Sequence, residues 1–228
     1  MGIVNFSIPK ELVKELIAKV KFDNFIETGT FRGETSFWAA NYFNKVYTIE
    51  ISPEISRETA SKPDVPKNIE FLIGNSKDLL GPLCSRISGR SFFWLDGHWC
   101  SGAAGKEEEC PLIDELNAIA KLQDSVIFVD DARCFLGPLP PPHDHTHWPM
   151  IDEIFLKLKA LFPSSFVTII DDVIICVPND LRATLYDYWM ATFDARYAPP
   201  KPETKSFIEQ LRGIPRRQIL KYLLKLGK

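Results

Sequence analysis

Five carboxylates and a histidine in this chain each follow a short apolar run: Glu27, Glu50, Asp96, Asp130 and Asp131, with His98 two places beyond Asp96. Glu27 opens the stretch Glu27-Thr28-Gly29-Thr30-Phe31-Arg32-Gly33. A dinucleotide fingerprint has glycine where Glu27 stands. A carboxylate there disfavours a pyrophosphate and favours a cation, such as an amino group. Glu50 ends the next apolar run, and its two oxygens suit the two hydroxyls of a ribose. Together they describe a nucleoside with a cationic, amino-acid-like arm. Asp96, Asp130 and Asp131 repel one another unless a cation compensates. A hard divalent ion, magnesium, is one candidate. Neutralisation by Arg133 and a lysine, or capping of the loops that follow, is the other. The side chain of His98 titrates near neutrality, so it can take a proton from a hydroxyl or serve as a structural histidine.

These residues need a frame. The pattern predicts strands over 24–27, 46–51, 69–73, 91–95 and 126–129, each followed by a helix or a polar turn. Helices are expected over 34–43, 54–61, 78–83, 111–122 and 151–162. A first helix carries Leu12, Val13, Leu16, Ile17 and Val20 on one stripe, with Ser7 as its cap. The apolar runs 166–170 and 173–177 are separated only by Asp171-Asp172. That gap is too short for a crossover, so the two must form an antiparallel hairpin. Strand–helix alternation implies a mostly parallel sheet with helices on both faces. In such a sheet ligands bind beyond the carboxyl ends of the strands, which is where the six residues above fall.

Glu-x-Gly-x-x-x-Gly after the first strand, Glu50 after the second, Gly74-Asn75-Ser76 after the third and the closing hairpin resemble the class I S-adenosylmethionine-dependent methyltransferases. The resemblance spans about 23–178. It implies a Rossmann-like, doubly wound, mostly parallel seven-stranded sheet ending in an antiparallel hairpin, and it implies S-adenosylmethionine as cofactor. On that likeness Glu27, Thr28, Gly29, Thr30 and Gly33 hold the methionine part, Glu50 the ribose, and Asn75 and Ser76 the adenine edge. Thr35, Ile51 and Asp96 complete the cofactor set. Asn75 departs from the aspartate usual there, though its amide oxygen can still accept from an exocyclic amine. A weaker similarity to the metal-dependent O-methyltransferases, of the catechol and macrocin kinds, makes Asp96, Asp130 and Asp131 ligands for Mg2+. It also makes Asp96 and His98 the catalytic pair, with His98 where the macrocin-like enzymes carry an aspartate base. The lysine of the catechol kind falls at Trp99 and is absent.

The rest of the chain narrows the partners. A net charge of −3 gives no general reason to bind nucleic acid. No run is long and apolar enough for a membrane span, and no signal peptide is expected. Five cysteines in an odd, unpatterned set read as reduced thiols, hence a cytoplasmic protein. His143, His145 and His147 alternate in a proline-rich loop, 137–149, that reads as a lid over the site, and Glu107, Glu108 and Glu109 read as a solvated helix start. A helix is expected over 181–193 as part of the main domain, residues 1–198. Residues 199–228 form a basic appendage whose leucine-rich helix could meet a partner, and a homo-oligomer is compatible with it. The expected activity is O-methylation of a small hydroxylated acceptor such as a sugar. The rivals are a nucleotide-binding oxidoreductase and a non-catalytic cofactor-binding protein.

Overall fold

The computed structural model describes residues 7–99 and 105–197, with side chains as far as 194. The chain divides into two compact units, residues 1–192 and 193–228. The basic run at 216–226 lies outside the described residues.

In the first unit seven strands form one sheet in the order β3-β2-β1-β4-β5-β7-β6. They are β1 (Asn24–Thr28), β2 (Lys45–Glu50), β3 (Ile69–Ile73), β4 (Ser91–Leu95), β5 (Val126–Val129), β6 (Ser165–Ile170) and β7 (Val173–Pro178). β1 to β5 are parallel, whereas β7 pairs antiparallel with both β5 and β6. The helices are α1 (Lys10–Lys19), α2 (Glu34–Ala39), α3 (Pro53–Ala60), α4 (Ser76–Arg86), α5 (Leu112–Ile119), α6 (Ile151–Leu161) and α7 (Arg182–Tyr197). Among the described residues no helix is long and apolar enough to cross a membrane.

β1, β4 and β5 are buried along their whole length because helices cover both faces. Alternate residues therefore serve two cores. Ile26, Phe93, Leu95 and Ile127 meet Leu80, Leu116 and Leu158 of α4, α5 and α6. Phe25, Phe92, Trp94 and Phe128 lie in the other core with Leu12 and Leu16 of α1. Each fully buried ring of this kind stabilises the fold by about 1.5–3 kcal/mol. The second core is aromatic: Phe92 stacks on Phe25 at 5.7 Å and meets Phe128 edge-on at 4.8 Å. These contacts fix β1 and β4 side by side, with Thr28 opposite Leu95. The chain winds outward from β1 to β3 and then returns to β4, so the crevice lies between the ends of β1 and β4.

Several helices differ from expectation: α5 stops at Ile119 rather than 122, α7 runs on to Tyr197 rather than 193, and α1, α4 and α2 differ for reasons visible at their ends. α1 begins after Pro9, which has no side-chain cap bond, rather than on a Ser7 cap; proline's fixed φ suits the entry to a helix. α4 is longer than the expected 78–83, because the Asn75 side chain accepts from Lys77 N at 3.2 Å and starts it two residues earlier. α2 stops at Ala39, four residues short, in a turn closed by Phe43 N donating to Ala39 O.

Candidate functional site

The turn after β1 is set by backbone. Gly29 has φ +86°, and a Cβ there would lie 2.2 Å from the carbonyl oxygen of Asp96. Only glycine allows β1 and β4 to approach so closely at their ends. Gly29 N donates to Ile49 O at 2.9 Å, and Gly33, at φ +74°, precedes α2. Phe31 also has a positive φ, 42°, and its exposed ring stands at the rim with Ile51 and Ile73.

Glu27 lies beneath this turn and is buried. Its Oε2 accepts from Ser36 Oγ and, at 2.8 Å, from Thr48 Oγ1. Thr30 Oγ1 and Thr48 Oγ1 are 2.6 Å apart, which extends the network to the turn. Burial pushes the Glu27 carboxyl up to about 7, against the pull of the hydroxyls of Ser36, Thr48 and Thr35. Glu27 therefore ties β1, β2 and α2 together from below. Glu50 is different. It sits at the end of β2, with Oε2 accepting from Phe31 N and Oε1 from Ser52 N, each at 2.9 Å. Each oxygen keeps a further lone pair for a hydroxyl.

Asn75 and Ser76 stand at the end of β3. The Asn75 amide is already engaged, with Oδ1 on Lys77 N and Nδ2 on Glu108 Oε2 at 3.4 Å. Ser76 opens α4 and faces Glu115, a carboxylate of α5 that sequence reasoning passed over. Glu115 is buried, and its Oε1 has no hydrogen-bond partner. Burial raises its pKa, opposed by the hydroxyls of Ser76 and Thr28. It borders a cavity of about 10 Å³ together with Gly97, His98 and Cys110, about the room of one water molecule.

Across the crevice, His98 Nε2 lies 3.1 Å from Asp131 Oδ2 and 3.9 Å from Asp96 Oδ1. Burial pushes the imidazole down, but the hydrogen bond to Asp131 and the charges of Asp96, Asp131 and Asp130 outweigh it and leave its pKa raised. Burial likewise pushes Asp131 up, and His98 with Arg133 overcomes that and lowers it. Asp96 is raised well above the usual carboxylate range by burial, and Asp130 is pushed up to about 7 by burial and by the Asp131 charge.

The acids do not form the expected metal centre. Among the described residues no three His, Cys, Asp or Glu side chains converge as a group that could hold an ion. Both oxygens of Asp131 face cationic or donor groups, one His98 and the other Arg133 Nη1 at 2.7 Å. Asp130 Oδ1 accepts from Asp131 N at 2.8 Å. A guanidinium stands beside the trio, so the residues present do not fit Mg2+.

The histidine loop also differs from expectation. Its three histidines do not line one side: 145–147 is a 3₁₀ turn, and the ring of His143 turns inward. Glu109, expected in solvent, is buried and gathers the loop. It accepts from Trp148 Nε1 at 2.7 Å and Asp144 N at 2.9 Å, with His143 Nδ1 at 3.0 Å. Burial pushes its carboxyl up, and these partners more than reverse the shift. Glu108 is paired with Lys77, which leaves Glu107 as the exposed member of the three. The loop so held lays Trp148 edge-on to His98 at 5.3 Å, with Phe135 5.6 Å from Trp148.

No family model matches the chain, and no curated protein sequence matches it. Solved structures do. A Staphylococcus aureus protein assigned as a caffeoyl-CoA O-methyltransferase superposes with TM-score 0.54 at 15% identity, over 78% of this chain and 86% of its own. Human methyltransferase-like protein 13, solved with S-adenosylhomocysteine, gives 0.52 at 14% identity, over 89% and 97%. A Klebsiella pneumoniae protein assigned as an O-methyltransferase gives 0.50 at 14%, over 77% and 82%. The strand order, the reversed β7 and these superpositions agree: the chain has the Rossmann-like fold of the class I S-adenosylmethionine-dependent methyltransferases.

Proposed function

We propose that the protein is an S-adenosylmethionine-dependent methyltransferase that acts on a hydroxyl of a small acceptor such as a sugar. The observation that carries this reading is the pairing of two features across one crevice. Gly29, against the Asp96 carbonyl, and Glu50, on Phe31 N, shape the turn on one side. His98, backed by Asp131, faces it from the other. The residues present fit the cofactor: the Glu50 carboxylate is held at the end of β2 by two backbone N–H groups, and exposed Phe31, Ile51 and Ile73 offer apolar contact to a base at the rim.

When bound, the cofactor supplies an activated methyl group. The chain's own residues do the rest. Glu50 keeps its oxygens near the strand end for ribose hydroxyls, because two backbone N–H groups hold its carboxylate still. Glu27 fixes the turn from beneath, with Thr28, Thr30 and Thr35 around it, and leaves contact with the ligand to the backbone of 28–33. Asn75 and Ser76, at the start of α4, border the adenine side. His98 accepts the hydroxyl proton as the acceptor oxygen attacks, and Asp131 orients the ring and stabilises the imidazolium. Trp148 and Phe135 keep water from this proton and present an apolar wall to the acceptor. Arg133, rather than a divalent ion, balances the acids. The four described cysteines are free thiols, which supports a reducing, cytoplasmic setting.

Calorimetry with S-adenosylhomocysteine on the wild type and on Glu50→Ala tests the cofactor assignment. The wild type should bind, and Glu50→Ala should lose at least about tenfold, about 1.4 kcal/mol. No binding by the wild type would sink the reading, and equal affinity in Glu50→Ala would remove the ribose role. A screen of hydroxylated sugars and phenols for S-adenosylhomocysteine release, with and without magnesium, then tests the acceptor class.

A further inference from the structure

The hairpin between β6 and β7 reaches the site from the far side of the sheet. Its turn is Asp171-Asp172, with φ +51° and +65°, a twisted two-residue turn of the kind that joins antiparallel strands tightly. Asp172 does more than turn the chain. Its backbone oxygen accepts from Ala132 N at 2.7 Å, and its Oδ1 accepts from Arg133 N at 2.9 Å. Both donors open the 3₁₀ turn Ala132–Phe135 that follows β5. The other oxygen, Oδ2, meets Arg133 Nη1.

Arg133 Nη1 is shared. It also lies 2.7 Å from Asp131 Oδ1, and Asp131 Oδ2 is 3.1 Å from His98 Nε2. A continuous line of contacts therefore runs Asp172–Arg133–Asp131–His98, through three elements far apart in sequence. Asp131 itself has φ +54°, an uncommon conformation for a residue with a side chain. That backbone turn brings its carboxylate between Arg133 and His98.

We infer that Arg133 and Asp172 are positioning residues for His98: together they hold the Asp131 carboxylate on His98 Nε2, fixing the imidazole tautomer and leaving Nδ1 as the proton-accepting atom. The inference rests on the reading of His98 as the base. The guanidinium is suited to the task because its planar fork can hold two carboxylates at once, which a lysine ammonium does less well. A carboxylate on one ring nitrogen selects the tautomer protonated there. With Arg133 removed, Asp131 has nothing to keep Oδ1 away from the ring, and Asp130 and Asp96 compete for the same imidazole.

Nitrogen-15 spectra of the imidazoles test this directly. The chain has four histidines, so His98→Gln assigns the signal. In the neutral ring the wild type should show the Nε2–H tautomer in excess. Arg133→Gln should raise the Nδ1–H population at least threefold, and Arg133→Lys should recover part of the difference. Asp172→Asn keeps a residue that tolerates positive φ and an oxygen for Arg133 N, and should give a smaller change of the same sign. Circular dichroism establishes folding, and affinity for S-adenosylhomocysteine should stay within twofold in all three. An unchanged tautomer ratio in folded Arg133→Gln overturns the inference. So does a change that comes only with lost cofactor affinity, because that describes a structural role. If Asp172→Asn fails to fold, Arg133→Gln decides alone, since its side chain is partly exposed and its backbone contacts remain. Should His98→Gln turn over like wild type on the acceptor that releases most S-adenosylhomocysteine, the base reading fails. The tautomer ratio would still report whether Arg133 and Asp172 position the ring.

Discussion

The two sides of the crevice are built differently. On the β1–β2 side the site is mostly backbone: a left-handed glycine, N–H groups on Glu50, and hydroxyls gathered under the turn by Glu27. On the β4–β5 side it is mostly side chains that meet across long stretches of sequence: His98 with Asp131, Arg133 with Asp172, Trp148 with Glu109. A ligand common to many proteins can be held by a turn whose geometry is local. An acceptor particular to one protein needs side chains placed by the whole fold.

The contrast can be broken from either side. The largest effect should come from His98→Gln. Loss of a general base typically lowers kcat by about 100- to 10,000-fold, and affinity for S-adenosylhomocysteine should not move, because the turn at Gly29 is across the crevice. Rate assays beside calorimetry would show it, and a joint loss would mean that the two sides are one. Gly29→Ala should do the reverse. Its Cβ would overlap the Asp96 carbonyl at a strained φ, costing about 2–4 kcal/mol of stability or cofactor affinity. A tolerated alanine at full affinity would show that the turn does not hold the cofactor.

Glu27 separates support from contact. Its carboxyl is raised to about 7 in the folded chain from an ordinary 4.5. A carboxyl raised in this way adds stability below its unfolded pKa and loses that stability as pH rises through its folded one. The melting temperature of the wild type should therefore fall between about pH 4.5 and pH 7. Glu27→Gln, which still accepts from Ser36 and Thr48, should flatten that slope by up to about 3 kcal/mol. An equal slope in the variant would place the charge against solvent or ligand instead. The smallest effect should be that of Glu109→Gln. The amide keeps acceptance by one oxygen but leaves part of the Trp148, Asp144 and His143 set unmet, a loss of about 1–2 kcal/mol. Hydrogen exchange at Asp144 N and indole fluorescence of Trp148 would register it, and no change in either would mean that the loop is held elsewhere.

The same contrast explains what could be read before folding. β3, β4 and β5 are legible to the residue: β4 and β5 because buried parallel strands are continuous apolar runs with polar ends, and the half-buried edge strand β3 because its short, mostly apolar run stops at the Gly74-Asn75 turn. The hairpin is legible because two residues cannot make a crossover. Gly29 and Glu50 follow from local order along the chain. The metal reading of Asp96, Asp130 and Asp131 finds no support among the described residues, because strand ends give proximity but not partners. Arg133 stands two residues from Asp131 in plain view, yet nothing local shows that Asp172 will anchor it. Glu109 was misplaced, and Glu115 passed over, for a related reason. A glutamate in a polar run or on a helix looks solvated until the fold brings Trp148 to one and closes Ser76 over the other. Only the helix period of α5 could have hinted at Glu115, which lies beside Leu116 on its buried side.

One carboxylate, Glu109, holds a backbone amide, an indole and an imidazole of the loop over His98 at once. Of these groups only the indole of Trp148 and Glu109 itself are buried, so loss of the loop's contacts would leave that carboxylate unmet, at about 1–3 kcal/mol. Three groups spread over residues 143–148 are thus tied at a single knot, and a change at Glu109 slackens all of them together.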